Sequence, residues 1–113
     1  MIVKQPGQKH FTKDFGDSTV SDRIIVGALD GCEAEVRIFR PKAGFCPGIN
    51  VTHSKDETVY VLEGKIQITG GVVTHVLGPT GLYFCEAGTP TTFLAVEDSV
   101  ILCVFHGQLP EGE

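Results

Sequence analysis

The stretch that decides the fold of this chain is Val51-Thr-His53-Ser-Lys-Asp-Glu57-Thr-Val-Tyr-Val-Leu-Glu-Gly64. An imidazole, His53, and a carboxylate, Glu57, flank a three-residue polar break. The run after Glu57 is rich in β-branched and aromatic residues, which favours a strand, and it ends at Gly64, a residue suited to a turn. A histidine and a carboxylate in this arrangement can bind a metal, hold a substrate or move a proton.

Short strands separated by turn residues continue on both sides of this stretch. Fourteen glycines and six prolines punctuate runs rich in Val, Ile, Thr, Phe and Tyr, and no segment of ten or more residues has helical spacing. Asp30-Gly31 and Gly70-Gly71 are signals for tight hairpins. The pattern predicts an all-β, antiparallel sandwich or barrel. The predicted strands are Ser21–Leu29, Glu33–Arg40, Asn50–His53, Glu57–Leu62, Lys65–Thr69, Val72–Leu77, Leu82–Cys85, Thr92–Ala95 and Val100–Phe105.

The side-chain pattern distinguishes two kinds of strand. In Glu33–Arg40 apolar residues alternate with charged ones, as in a half-buried strand. Val100–Phe105 is apolar on both faces, which is typical of a central strand covered on both sides. Lys4–Lys13 and Gln108–Glu113 are predicted to be peripheral. The 113 residues are long enough for one domain with one core, and they contain no repeat or linker.

Charge and composition limit the partners. The hydrophobic fraction of 42% and the charged fraction of 20% are ordinary for a soluble globular protein. The net charge of −5 argues against nucleic acid as a partner, because binding to phosphates needs concentrated Lys and Arg. The basic residues are scattered except for Arg37, Arg40 and Lys42, which are interpreted as solvated surface rather than as a phosphate site.

A cytoplasmic location is predicted, without contact with a membrane. No apolar stretch approaches the ~20 residues that a membrane span requires, and the first residues lack the apolar core of a secretion signal. The four cysteines have no Cys-x2-Cys spacing, so they are predicted to be small hydrophobic residues in a reducing compartment. They are Cys32, Cys46, Cys85 and Cys103.

A second stretch, Thr80-Gly-Leu-Tyr-Phe-Cys-Glu-Ala-Gly88-Thr-Pro90-Thr91-Thr-Phe93, follows the first at a distance that fits one hairpin. Together the two stretches resemble the cupin family. Its first motif, His-x-His-x3-Glu-x6-Gly, is matched from the second histidine onward by His53, Glu57 and Gly64. Its second motif, roughly Gly-Asp-x4-Pro-x-Gly-x2-His-x-Phe, is matched at 87–90 and at Phe93. The resemblance implies a jelly-roll β-barrel formed by residues 1–113, with motif 1 at about 44–64 and motif 2 at about 80–93.

The same resemblance identifies a depleted metal site. A complete cupin site presents three histidines and one glutamate to a divalent metal such as Fe, Mn, Ni, Cu or Zn. The first histidine of motif 1 falls on Val51 and the histidine of motif 2 falls on Thr91, so only His53 and Glu57 remain. Two protein ligands rarely hold a transition metal tightly. The candidates to complete the shell are His75, which shares strand parity with Leu77, and Cys46, Cys85 and His106.

The preferred interpretation is a cupin-fold protein that binds a small molecule and lacks a complete metal site. The predicted ligand-contacting residues are His53, Glu57, Thr91, His75, Val51 and Phe93. The alternative is a metal-dependent dioxygenase, isomerase or lyase acting on a small organic acid, with His53 and Glu57 as metal ligands. A third interpretation is metal-free acid–base catalysis by His53 and Glu57, and a fourth is a sensory role. The resemblance also implies a homodimer. Whether the protein is an enzyme stays open.

Overall fold

Two antiparallel sheets make up the part of the chain that the structure, a computed structural model, describes. That part comprises residues 1, 11–16, 18–26, 34–107 and 109–110, and it contains strands and no helix. The strands are β1 Phe11–Asp14, β2 Val20–Val26, β3 Ala34–Arg40, β4 Glu57–Glu63, β5 Ile66–Gly70, β6 Val73–Leu77, β7 Leu82–Cys85, β8 Thr91–Ala95 and β9 Val100–Phe105. Among these residues there is accordingly no helix that could span a membrane.

The strand order is that of a jelly roll. One sheet has six strands in the order β1-β2-β3-β9-β4-β7, and the other has three in the order β6-β5-β8. From β6 to β9 consecutive strands alternate between the sheets. The predicted all-β antiparallel architecture is therefore confirmed, as is the central position of β9, which pairs with β3 on one side and β4 on the other.

Within the described residues, the predicted strands agree with the observed ones to within one residue except at two places, and the predicted strand ends at 27–29 and 33 lie outside those residues. Asn50–His53 is not a strand, because Val51 forms only an isolated bridge with Thr91. The backbone of Asn50, directly before Val51, is left-handed (φ 52°), which an extended strand does not allow. The other difference is β1, which lies partly in the segment expected to be peripheral. The hairpin at Gly70-Gly71 is present, with a two-residue loop at Gly71-Val72. The Asp30-Gly31 turn and Cys32 lie outside the described residues.

The core lies between the sheets. A cluster of buried side chains contains residues of both: Val59, Val61, Ile66, Ile101, Cys103, Phe105 and Leu109. Gly64, in the turn between β4 and β5, allows this turn to approach Asp98 and Ser99, which precede β9. Its φ of 87° favours glycine, and a Cβ there would collide with Ser99 and Asp98.

Strand β3 turns its charged side toward this interior. Register with β9 pairs Glu35 with Phe105 and Arg37 with Cys103, whose side chains are buried. Glu35 is itself fully buried, and only 15% of the Arg37 side chain is exposed. The interpretation of Arg37 as solvated surface is therefore wrong, because the charged side of β3 belongs to the inner face of the six-stranded sheet, which faces the other sheet. Arg40 is exposed, as predicted.

Candidate functional site

A cavity of about 600 Å³ lies between the two sheets and brings both sequence motifs together. Strands β1, β2, β3, β4, β7, β8 and β9 contribute to its wall, and the segment around residues 45–53 forms another side. The lining residues are Lys13, Phe15, Ser21, Arg37, Phe39, Phe45, Cys46, Pro47, Val51, Thr52, His53, Glu57, Tyr83, Thr91, Phe93, Ile101, Cys103 and Phe105.

His53 lies in the segment that joins the Val51 bridge to β4. Its carbonyl accepts a hydrogen bond from the backbone N–H of Gly88 (2.9 Å), which ties the first motif to the second. Its ring meets the ring of Phe105 edge-on, with centroids 5.3 Å apart and planes at 71°. The Nδ1 atom is buried. The imidazole is thereby held against the cavity wall by an aromatic neighbour and by its own backbone.

Glu57 begins β4 between two neighbouring strands, where it pairs with Phe105 of β9 and Cys85 of β7. Its side chain is buried, with 9% exposed. Burial raises the pKa of Glu57 from 4.5 to about 7, although the positive charge of Arg37 and a hydrogen bond with Cys103 lower it. Near neutral pH this carboxyl therefore occurs in both protonation states, so it can either donate or accept a proton.

The groups packed around Glu57 stay protonated at neutral pH. Burial raises the pKa of the Cys103 thiol well above its ordinary value, and the nearby Glu57 carboxylate raises it further. The same two causes, in the same order, raise the pKa of the Tyr83 hydroxyl. Burial also raises the pKa of Cys85. None of these three side chains is activated as an anionic nucleophile by its surroundings.

Arg37 is a charged cavity residue that the sequence analysis placed on the solvated surface. Its Nε donates a hydrogen bond of 2.6 Å to Oε2 of Glu35, and its guanidinium carbon lies 5.0 Å from the centre of the Phe105 ring. The other oxygen of Glu35, Oε1, accepts a hydrogen bond of 3.1 Å from the backbone N–H of Leu109. The sequence did contain a signal for this position. Phe39 lies on the same face of the strand as Glu35 and Arg37, and an aromatic residue on that face indicates that the face is buried.

The other predicted ligand-contacting residues divide into two groups. Val51, Thr91 and Phe93 line the cavity, and Val51 and Thr91 exchange two backbone hydrogen bonds, of 2.7 and 3.0 Å. The assignment of His75 to the pocket is wrong. His75 has the inward parity of its buried partner Ile68, but β6 is the edge strand of the three-stranded sheet, and His75 is exposed.

The side chains at the depleted site do not fit the metal centre of a complete cupin. Nowhere in the described part of the chain do three or more His, Cys, Asp or Glu residues lie together as a metal site requires. The proposed substitutes do not complete the shell. Cys46 is exposed and contacts the carbonyl of Gly48, whereas the ring of the exposed His106 contacts Thr58 and Phe84.

Solved structures with the same fold include cupins. An RmlC-like cupin from Shewanella frigidimarina matches with a TM-score of 0.75 and 15% identity, over 97% of this chain and 91% of that one. KdgF from Halomonas sp. matches with a TM-score of 0.74 and 16% identity, over 88% of this chain and 89% of that one. Oxalate decarboxylase from Bacillus subtilis, a protein with Mn(II) centres, has a TM-score of 0.74 and 20% identity; 93% of this chain matches 32% of that one.

These similarities establish the fold at low sequence identity. No protein-family model matches the sequence, and no curated protein matches it. The structural matches nevertheless confirm what the two motifs predict, an RmlC-like cupin jelly roll.

Proposed function

We propose that this protein, which has the cupin fold, binds a small organic molecule in the cavity between its two sheets. Arg37, His53 and Glu57 are the polar anchors. Thr91, Val51 and Phe93 form part of the wall. The observation that carries the proposal is a cavity of about 600 Å³ lined by Arg37, His53 and Glu57. The first two contact the ring of Phe105, and Glu57 is the partner of Phe105 in the pairing of β4 with β9.

The size and lining of the cavity support this proposal. Ligand pockets commonly have volumes of roughly 300–1,000 Å³ and combine an apolar wall with a few polar groups. Placing Arg37, Glu57 and Glu35 in the interior costs free energy that an apolar core would avoid. A ligand that contacts Arg37 and Glu57 in the cavity would give these buried charged groups a function that offsets this cost.

The proposal is tested by a nuclear magnetic resonance screen of small organic molecules, followed by titration of the molecules that bind. We expect His53→Ala to weaken binding by about tenfold, the effect of losing one good polar contact. His75→Ala is the matched control, because His75 is an exposed histidine outside the cavity, and it should bind like the wild-type protein. Equal affinities in all three proteins would show that binding occurs elsewhere and would refute the proposal.

Metal-free acid–base catalysis by His53 and Glu57 is the second candidate function. The pKa of Glu57, raised by burial to about 7, supports it, since a group that titrates near neutrality suits proton transfer. For any substrate found by the screen, kcat should show an inflection near that pH, and Glu57→Gln should abolish turnover. A flat pH profile would argue against this role.

A metal-dependent enzyme acting on a small organic acid is the remaining alternative. The structural similarity to a protein with Mn(II) centres supports it, whereas the incomplete ligand set among the described residues weighs against it. Elemental analysis after incubation with manganese and extensive dialysis provides the test. Stoichiometric metal in the wild-type protein that is lost in His53→Ala would favour the enzyme over the simple binding protein.

We further propose that the protein is a homodimer in the cytoplasm. Exposed apolar side chains on the outer face of the six-stranded sheet support dimerisation through that face: 55% of Leu82 and 54% of Phe84 are accessible. The free thiols of Cys46, Cys85 and Cys103 support a reducing compartment. Light scattering coupled to size-exclusion chromatography should give the mass of two chains for the wild-type protein and of one chain for Phe84→Asp.

A further inference from the structure

We propose that the ligand is a small organic anion with an aromatic body, held with its acidic group toward Arg37 and its ring against a cluster of phenylalanines. This inference rests on the proposed function, because it takes the cavity to be the ligand site. It adds the chemical class of the ligand, which follows from the two different ends of the cavity.

The charges on the cavity wall favour an anion. Among the lining residues that the structure describes, Lys13 and Arg37 are cationic and Glu57 is the only carboxyl. Arg37 keeps its charge at any physiological pH, and guanidinium is the side chain best suited to bind a carboxylate or similar planar anion. Lys13 belongs to β1 and its ammonium group lies 4.8 Å from the centre of the Phe15 ring, so it adds positive charge on the exposed side of the cavity.

Glu35 holds Arg37 in place from outside the cavity, and the guanidinium group of Arg37 still lines the cavity wall. Both oxygens of the Glu35 carboxylate are engaged, Oε2 by Arg37 and Oε1 by the N–H of Leu109. Glu35 is fully buried and is not part of the cavity wall, whereas Arg37 is. The carboxylate therefore balances the guanidinium from behind and orients it. A preoriented guanidinium loses little conformational entropy when a ligand binds.

The other end of the cavity is an aromatic wall. The ring centres of Phe15, Phe39 and Phe45 lie 5.0 to 5.7 Å apart, with planes inclined by 57° to 77°. Phe93 of the opposite sheet lies 5.9 Å from Phe39. Aromatic rings at such distances attract one another by edge-to-face contacts in addition to the burial of apolar area. A ligand ring that joins this cluster gains the same contacts, which a saturated ring of equal size does not.

The spacing between the two ends sets the shape of the ligand. Arg37 and Phe39 are neighbours on one face of β3, so their backbones are about 7 Å apart along the strand. This separation suits a ring joined to an acidic group directly or through one or two carbon atoms. At ~30 Å³ for each water molecule, the cavity holds roughly twenty waters. A two-carbon diacid would leave most of that volume filled with water.

Four probes separate the features of this ligand class: phenylacetate, its neutral counterpart phenylacetamide, its saturated counterpart cyclohexylacetate, and acetate. Dissociation constants are measured by calorimetry or by ligand-observed magnetic resonance on the wild-type protein. We expect phenylacetate to bind about tenfold more tightly than phenylacetamide, the effect of one charge-assisted contact. Phenylacetate should also bind more tightly than cyclohexylacetate, and acetate should bind most weakly.

Variants assign the contacts. Arg37→Gln should remove the preference for phenylacetate over phenylacetamide, and Arg40→Gln, an exposed arginine on the same strand, is the matched control that should retain it. If Arg37→Gln does not fold because the buried Glu35 carboxylate loses its counter-charge, the double variant Glu35→Gln/Arg37→Gln, which removes both charges of the pair, replaces it. That variant should likewise remove the preference.

The outcomes separate this inference from the proposed function. If phenylacetamide or cyclohexylacetate binds in the cavity as tightly as phenylacetate, the ligand class is wrong and the cavity remains a ligand site. If the preference for phenylacetate is the same in the folded Arg37→Gln variant, or in the double variant that replaces it, as in the wild-type protein, the assignment of the acidic group to the Arg37 end is overturned. If no probe binds at millimolar concentration, the ligand class fails. If the broad screen also finds no ligand that depends on His53, the proposed function fails with it.

Discussion

Replacing Glu57 by glutamine tests the central feature of the site, a carboxyl group buried in the cavity wall. Glutamine has nearly the same shape as glutamic acid and does not titrate. In the wild-type protein the folded carboxyl has a pKa of about 7, raised by burial from the ordinary 4.5. Between these two pH values the folded protein therefore binds more protons at this residue than the unfolded chain does.

The sign and size of the effect follow from this difference in proton binding. Because the folded state binds the extra proton, the free energy of unfolding falls as the pH rises from 4.5 to 7, and it levels off above the folded pKa. Each pH unit in this range is worth about 1.4 kcal/mol, so the full effect is about 3 kcal/mol. The contribution of Glu57 is thus most favourable below pH 4.5 and is lost as the carboxyl ionises.

The assay is urea unfolding followed by circular dichroism, since the chain has no tryptophan. It is carried out on the wild-type protein and Glu57→Gln between pH 4.5 and about pH 8, with a chelator present so that bound metal does not contribute. Other titrating groups are shared and cancel in the difference. We expect the stability of the wild-type protein to fall relative to the variant by about 3 kcal/mol over this range.

The matched control for that experiment is Glu63→Gln, which removes an exposed carboxylate from the same strand, β4. Its stability should follow that of the wild-type protein across the pH range. A constant difference between the wild-type protein and Glu57→Gln would refute the reasoning, because it would mean that the folded carboxyl is not desolvated.

Three further predictions concern the scaffold and the thiols. Gly64→Ala should lower the free energy of unfolding by at least about 2 kcal/mol, because the added Cβ combines a left-handed backbone with a collision. The control, Gly71→Ala, should lower it by about 1 kcal/mol, since the backbone of Gly71 is also left-handed but a Cβ there would meet no other atom. Stability of Gly64→Ala equal to that of Gly71→Ala would contradict the close approach at Gly64. Glu35→Gln should destabilise the fold by about 3 kcal/mol in urea unfolding, since it removes the buried carboxylate to which Arg37 donates a hydrogen bond. An effect of a few tenths of a kcal/mol would place the ion pair in solvent. Mass spectrometry after brief alkylation should find Cys46 modified well before Cys103, because Cys46 is exposed, whereas Cys103 is buried and its thiol has a raised pKa. The reverse order would contradict the burial of β9.

The sequence by itself determined the architecture and most of the elements. Turn glycines and period-two alternation mark strands that the structure confirms, and Leu82–Cys85 and Val100–Phe105 begin and end where they were predicted. His53 and Glu57, which line the cavity, could be proposed as site residues because their spacing from Gly64 resembles a cupin motif, and that spacing is a local property of the chain. These features depend on neighbours in sequence, which are visible without the fold.

Only the tertiary structure decided which faces are covered. Alternation in β3 indicates that its two sides differ, but β9 is apolar on both faces, so either side of β3 could have been buried. The register of β3 against β9 turned Arg37 into the cavity, and the edge position of β6 left His75 exposed. The burial of Arg37 and the exposure of His75 both depend on the pairing of strands that are distant in sequence. A period of two residues shows that a strand has two different faces, but it does not show which face the other sheet will cover.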